Sequence, residues 1–133
     1  MATTGESEQE RTQSDQREQA RTFAIGAARS LKDSQCSDAL VLNLRGLSPV
    51  AEYLVIASGT SDRQMKSAAD DVAELAPKTG HMLVRQSADS RNTWIVCDFG
   101  DVVVHIFEPQ TRAYYDLELL WGDAERVRWQ REG

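Results

Sequence analysis

Cysteine is scarce: the 133-residue chain has two, Cys36 and Cys97. Two thiols cannot staple a small secreted scaffold in the dense way such domains need. Cys97 lies in the apolar run Trp94-Ile95-Val96-Cys97, where a free thiol behaves as a small hydrophobe, and both cysteines are read as reduced. Histidine is as rare, with His81 and His105 only. No two of these four side chains stand at a ligand spacing such as C-x-x-C or H-x-x-x-H, so no local metal site is expected. Long apolar runs are missing. Nothing approaches the roughly 20 apolar residues of a membrane span, and the opening MATTGESEQERTQSDQ lacks the apolar segment of a secretory signal. A cytoplasmic, membrane-free protein is expected. A positive balance is missing too: 15 Lys and Arg against 21 Asp and Glu give a net charge of -6. Phosphate backbones repel such a chain, so direct nucleic-acid binding is not expected, and a basic protein surface is the easier partner.

What is present suits one small domain. The length is enough for one domain and not comfortably for two, and 41% hydrophobic residues can build a real though small core. Residues 1–16 hold almost nothing apolar, a composition that cannot offset its own ordering entropy, so a disordered polar tail is expected there. From Arg17 the pattern changes. Ala20, Phe23, Ala24, Ala27, Ala28 and Leu31 recur at helical steps and predict an amphipathic helix ending near Ser34. Leu40, Leu42 and Leu44 alternate as in a half-buried strand, and Tyr53 to Ala57 is a continuous apolar run, as in a strand covered on both faces. Ser61 and Gln64 have the spacing of a capping box. Met65, Ala68, Ala69, Val72, Leu75 and Ala76 mark the helix that follows, ended by Pro77 and Gly80. A short strand is expected over 81–85, and two clear strands over 93–98 and 102–107, joined by Phe99-Gly100-Asp101. A short helix capped by Asp116 and stopped by Gly122 completes the series. The expected fold is α/β (α+β): a mixed five-stranded sheet flanked by helices over residues 17–124, with one parallel pairing and a charged tail over 125–133.

Catalytic groups are hard to assemble. A Cys97–His105 pair across the hairpin is conceivable, but a thiol among large apolar residues has a raised pKa and is inert. The loop Ser58-Gly59-Thr60-Ser61 joins a strand to a helix, where backbone N–H groups can hold an anion. It has neither the Lys of a P-loop nor the G-x-G-x-x-G of a dinucleotide fold. Its layout is similar to that of nucleotidyltransferases, which hold two metals with a carboxylate pair. The nearest candidates, Asp98 and Asp101, flank a turn far along the chain from Gly59. The constellation looks broken, and no enzyme is expected; a nucleotide-binding or nucleotidyltransferase-derived enzyme is the alternative.

The charge distribution carries more. From Asp98 to Ala124 there are six acids and one base, Arg112, while the rest of the chain has fifteen acids and fourteen bases. The same segment holds Phe99, Phe107, Tyr114, Tyr115 and Trp121. Aromatic anchors beside charge of one sign match a protein-binding surface. The competing reading is a hairpin and helix whose aromatics fill the core and whose acids are merely solvated. His105, on a strand face with Val103 and Phe107, is likewise either a rim residue of the core or a contact.

Three motifs then come together: SGTSDRQ at 58–64, GDVVVHIF at 100–107, and TR-x-YY-x-LE-x-LW-x-DA at 111–124. Their order and spacing resemble the ribosomal silencing factor (Iojap) family, from roughly Ala20 to Ala124, with both tails outside the resemblance. That resemblance implies a nucleotidyltransferase-like fold without the catalytic carboxylates, no cofactor, and no catalysis. It implies a translational repressor that binds the large ribosomal subunit through ribosomal protein uL14. Occupying that site blocks association with the small subunit and lowers translation under nutrient limitation. By motif position, the partner-binding residues it points to are Asp98, Asp101, Val103, His105, Tyr114, Tyr115, Leu119 and Trp121. An exposed sheet edge also offers a route to a homodimer.

Overall fold

The computed structural model describes residues 4–132, with side chains from Thr12 onward. Helix α1 (Thr4–Asp33) packs Ala20, Phe23, Ala24, Ala27, Ala28 and Leu31 inward, each fully buried. It begins well before Arg17. Residues 4–16, expected in a tail, lie in this helix, and 1–3 fall outside the described residues. Positions 12–19 are all exposed, so this stretch gains nothing from the core. Its Glu, Gln and Arg are good helix formers, and propagation from a docked helix adds one hydrogen bond for each residue fixed.

Strand β1 (Ser37–Asn43) runs antiparallel to β2 (Tyr53–Ser58), whose six residues are all buried. Helix α2 (Asp62–Leu75) starts at Ser61, whose hydroxyl accepts from Gln64 N at 3.1 Å. Met65, Ala68, Ala69 and Val72 form its buried face. A Cβ at Gly59 would stand 2.2 Å from Cγ of the buried Met65, so any larger residue there must displace that side chain. Strands β3 (Arg85–Ala88), β4 (Trp94–Asp98) and β5 (Val102–Phe107) follow, then the short helices α3 (Pro109–Tyr115) and α4 (Leu117–Leu120) and strand β6 (Glu125–Arg126).

The sheet has six strands, in the order β3-β4-β5-β2-β1-β6. The expected parallel pairing is β2 with β5, in register from Tyr53 opposite Val102 to Ser58 opposite Phe107. Helices α1 and α2 cover one face through Val55, Ala57, Ile95, Cys97, Val102, Val104 and Ile106. The opposite face buries Leu42, Leu54, Ile56 and Phe107 under Leu117, Trp121 and Ala124. That cover is partial: Val96, Asp98, Val103 and His105 stay half-buried. Among the described residues no helix is long and apolar enough to cross a membrane.

Four expectations are corrected. The sheet has six strands, not five, because residues 125–133 hold no free tail over their described part: Val127 and Trp129 are 5% and 7% exposed, within the main core. Trp129 Nε1 donates to Ala39 O at 2.9 Å, Arg29 Nε donates to Trp129 O at 2.7 Å, and Val127 N donates to Val41 O at 2.8 Å. The third strand lies at 85–88 rather than 81–85, set by the pairing of Arg85 with Asp98. Helix α3 precedes the expected turn of helix, with Pro109 at its first position, where a missing N–H costs nothing. The capping box is displaced by one residue: Gln64 Oε1 accepts from Thr60 N at 2.8 Å rather than from Ser61.

Candidate protein-binding surface

The half-open sheet face is built from facing pairs. Trp94 stands opposite Phe107, Val96 opposite His105, and Asp98 opposite Val103. Val103 and His105 therefore share a face, with Asp98 at its end. The Trp94 ring stacks on Phe107 at 4.9 Å and packs against Tyr115 at 4.6 Å. Its indole Nε1 donates to His105 Nδ1 at 3.0 Å. An indole N–H can only donate, so Nδ1 must be the acceptor and the imidazole proton sits on Nε2. Burial holds the His105 pKa down at about 4, so the ring is neutral at neutral pH. His105 is thus both things weighed in the sequence, a rim residue bonded to the core and a side chain on a half-open face.

The hairpin tip is pinned by the Asp98 side chain and by backbone bonds. Asp98 Oδ1 accepts from Gly100 N at 2.8 Å, and Gly100 takes φ +88°, where a glycine belongs. Asp101 O accepts from Glu52 N at 2.7 Å and Tyr53 N at 3.1 Å, while the residue itself is exposed. Its carboxylate is free to meet a partner without carrying the turn.

Beyond β5 the aromatics divide. Phe99 and Phe107 are core, at 4% and 0% exposure. Trp121 is half-buried in the second cluster beside Leu117 and Ala124. Tyr114, Tyr115, Leu119 and Leu120 face outward at 81%, 50%, 77% and 70% exposure. Leu120 was not singled out in the sequence; its only signal is the doublet Leu119-Leu120, which one helical face cannot bury in full. Arg112, the one base of the segment, is spent internally: Nε donates to Glu118 Oε1 at 2.7 Å, and Nη1 to Ser58 Oγ at 2.8 Å. Among the described residues this is the one ion pair in the segment, which leaves Asp98, Asp101, Glu108, Asp116 and Asp123 uncompensated.

The catalytic readings do not assemble. Ser58 pairs with Phe107 and Asp98 with Val103, so the Gly-Ser loop and the carboxylates sit at opposite ends of β5, about 13 Å apart along the strand. They cannot share a metal. The loop's own amides are engaged, Gly59 N with Phe107 O at 2.7 Å and Thr60 N with Gln64 Oε1 at 2.8 Å. Cys97 stands opposite Val104, on the helix-covered face, while His105 points to the other, so no Cys–His pair exists. Burial, with a smaller push from Asp70, raises the Cys97 pKa to about 11. Among the described residues no three His, Cys, Asp or Glu side chains gather where a metal ion could be held.

Comparison with known proteins agrees with this architecture. Residues 14–132 match the family model described as ribosomal silencing factor during starvation, so the C-terminal segment expected as a tail lies within the family's extent, while residues 1–13 lie outside it. The chain is 39% identical over 98 residues to the ribosomal silencing factor of Bacillus subtilis, covering 74% of this chain and 83% of that protein. It is 33% identical over 107 residues to the chloroplastic Iojap protein of Zea mays, covering 80% of this chain and 46% of the longer plant protein. A crystal structure of a Chromobacterium violaceum protein superposes with a TM-score of 0.69 at 31% identity, over 87% of this chain and 89% of that one. One from Bacillus halodurans gives 0.64, also at 31% identity, over 80% and 94%. With the family model spanning both the sheet and the acidic helical corner, this chain belongs to the ribosomal silencing factor family.

Proposed function

We propose that this protein represses translation by binding the large ribosomal subunit through ribosomal protein uL14 and sterically blocking association with the small subunit. The observation that carries the reading is the pairing of outward apolar side chains with unpaired acids. Tyr114, Tyr115, Leu119 and Leu120 are between 50% and 81% exposed. Full burial of a leucine against a partner is worth at most about 1.5–3 kcal/mol, and Tyr115, half covered already, has less left to gain. Exposed side chains of this size rimmed by charge are the anatomy of an interface. Five uncompensated carboxylates on the same segment favour a basic protein and repel nucleic-acid phosphates. The half-open face of Val103, His105 and Asp98 extends the surface onto rigid strands.

Sedimentation of purified subunits on sucrose gradients tests this. An excess of the protein is expected to shift material from joined ribosomes to free subunits and to co-sediment with the large one. Joined ribosomes forming equally well in its presence refute it. Light scattering over a dilution series separates this behaviour from self-association through the free edge of β3.

A further inference from the structure

Tyr114 and Tyr115 lie on α3, and Leu119 and Leu120 on α4, so they form one surface only if the two helices keep a fixed relation. Neither helix contributes a buried residue, and at seven and four residues neither is stable by itself. They meet at Asp116, a non-glycine residue at φ 46° and ψ 58°. Asp116 makes no side-chain capping bond to α4. The corner is held by its neighbours: Tyr115 against Trp94, Leu117 and Trp121 in the second cluster, and one side chain that spans three elements. That side chain is Arg112. From α3 it reaches Glu118 in α4 and Ser58 at the end of β2. The Arg112 and Glu118 side chains are 12% and 22% exposed, and Ser58 is 4% exposed. Charge-assisted bonds so shielded are stronger than the exposed pairs that contribute almost nothing.

We infer that Arg112 is a positioning residue, which touches no partner and fixes α3 against α4 and β2 so that Tyr114, Tyr115, Leu119 and Leu120 are presented together. The inference rests on the proposed reading of this surface. Two properties separate it from simpler roles. A lysine keeps the charge but lacks two donors at a fixed angle, so Arg112→Lys fails where a charge effect alone would not. Removing the charge makes the segment more acidic, which strengthens attraction to a basic partner. Weaker binding by Arg112→Met therefore runs against long-range electrostatics.

The experiment compares the full chain with its Arg112→Lys and Arg112→Met variants, alone and with Tyr114→Ala plus Leu119→Ala. Binding to purified large subunits and amide hydrogen exchange are the readouts. Both single variants are expected to bind about tenfold more weakly, the worth of one charge-assisted hydrogen bond. Amides over 109–121 should exchange faster while β2 and β5 stay protected. On the Tyr114/Leu119 background, Arg112→Met should add no further loss, since the surface it positions is gone. Three results overturn the inference: unchanged binding by Arg112→Met, a full independent loss on that background, or lost protection of β2 and β5. If the unaltered protein does not bind large subunits, the proposed function falls, and exchange over 109–121 decides the role of Arg112. Unchanged exchange there refutes it.

Discussion

Replacing His105 with Asn tests the neutral, indole-bonded imidazole, because Asn Oδ1 can take the place of Nδ1 as acceptor but cannot titrate. In the unfolded chain a histidine ionises near 6.5, and in the folded protein burial holds His105 at about 4. Between these values the unfolded state binds a proton that the folded state refuses, so stability rises with pH across the window and falls as pH drops through it. At about pH 7.5 both states are neutral and the effect is nil. At about pH 5 the linkage amounts to about 2 kcal/mol of lost stability. His105 is half-buried, so this is a ceiling. The geometry supplies the cause: protonation turns Nδ1 into a donor facing the Trp94 N–H, and across the strands His105 meets only Val96 and Ile56, which offer no counter-charge. Urea unfolding followed by circular dichroism at the two pH values, for the natural chain and His105→Asn, isolates the histidine from the carboxylates. The natural chain should lose about 1–2 kcal/mol more than the variant on going to the lower pH. Equal pH dependence in the two proteins refutes the reasoning.

Three further outcomes follow from the structure. Trp129→Ala removes a side chain 7% exposed and leaves Ala39 O without its donor, so about 3 kcal/mol of unfolding free energy should be lost in a urea titration. A loss within about 0.5 kcal/mol would mean that the segment is not docked. Tyr114→Ala with Leu119→Ala should leave stability within about 0.5 kcal/mol, because both are mostly exposed, yet weaken large-subunit binding at least about tenfold; retained binding in a pull-down removes them from the surface. Asp101→Lys should weaken binding in a salt-dependent way while melting normally, since only its backbone holds the turn. Undiminished binding by the folded variant takes Asp101 out of the contact.

The parts of the fold that sequence made readable are those where burial leaves a periodic mark. The α1 face from Ala20 to Leu31 is fully buried at helical spacing, and β2 is buried at every position, so both patterns were visible as patterns. Helix α3 was missed because it has no fully buried apolar residue: with no apolar stripe there is no period to read, and Pro109 at the first position was the only cue. The same holds for β3, an edge strand exposed at all four residues, whose position follows from pairing with β4 rather than from its own side chains. At the C-terminus the alternation Val127-Arg128-Trp129 was a signal, too short to weigh against the charges around it. The candidate surface was legible as a stretch of charge and aromatics, but its division was not. Whether Phe107 or Tyr114 is buried depends on which sheet face lies under it and on the corner at Asp116, both tertiary facts.

The strand order carries a consequence for how the molecule comes together. β1 with β2, and β3 with β4 and β5, are each antiparallel neighbours that short connections can close early. The two groups meet only along β2 and β5, whose ends are separated by everything from Gly59 to Asp101. Closing so long a loop precedes any return from the buried valines and isoleucines of that seam, so zipping β2 to β5 is the expected slow step of folding. On that order of events, two half-sheets with open apolar edges would coexist in one chain until the seam closes. That is also the interval in which a crowded solution holds its greatest risk of the wrong half-sheets finding each other.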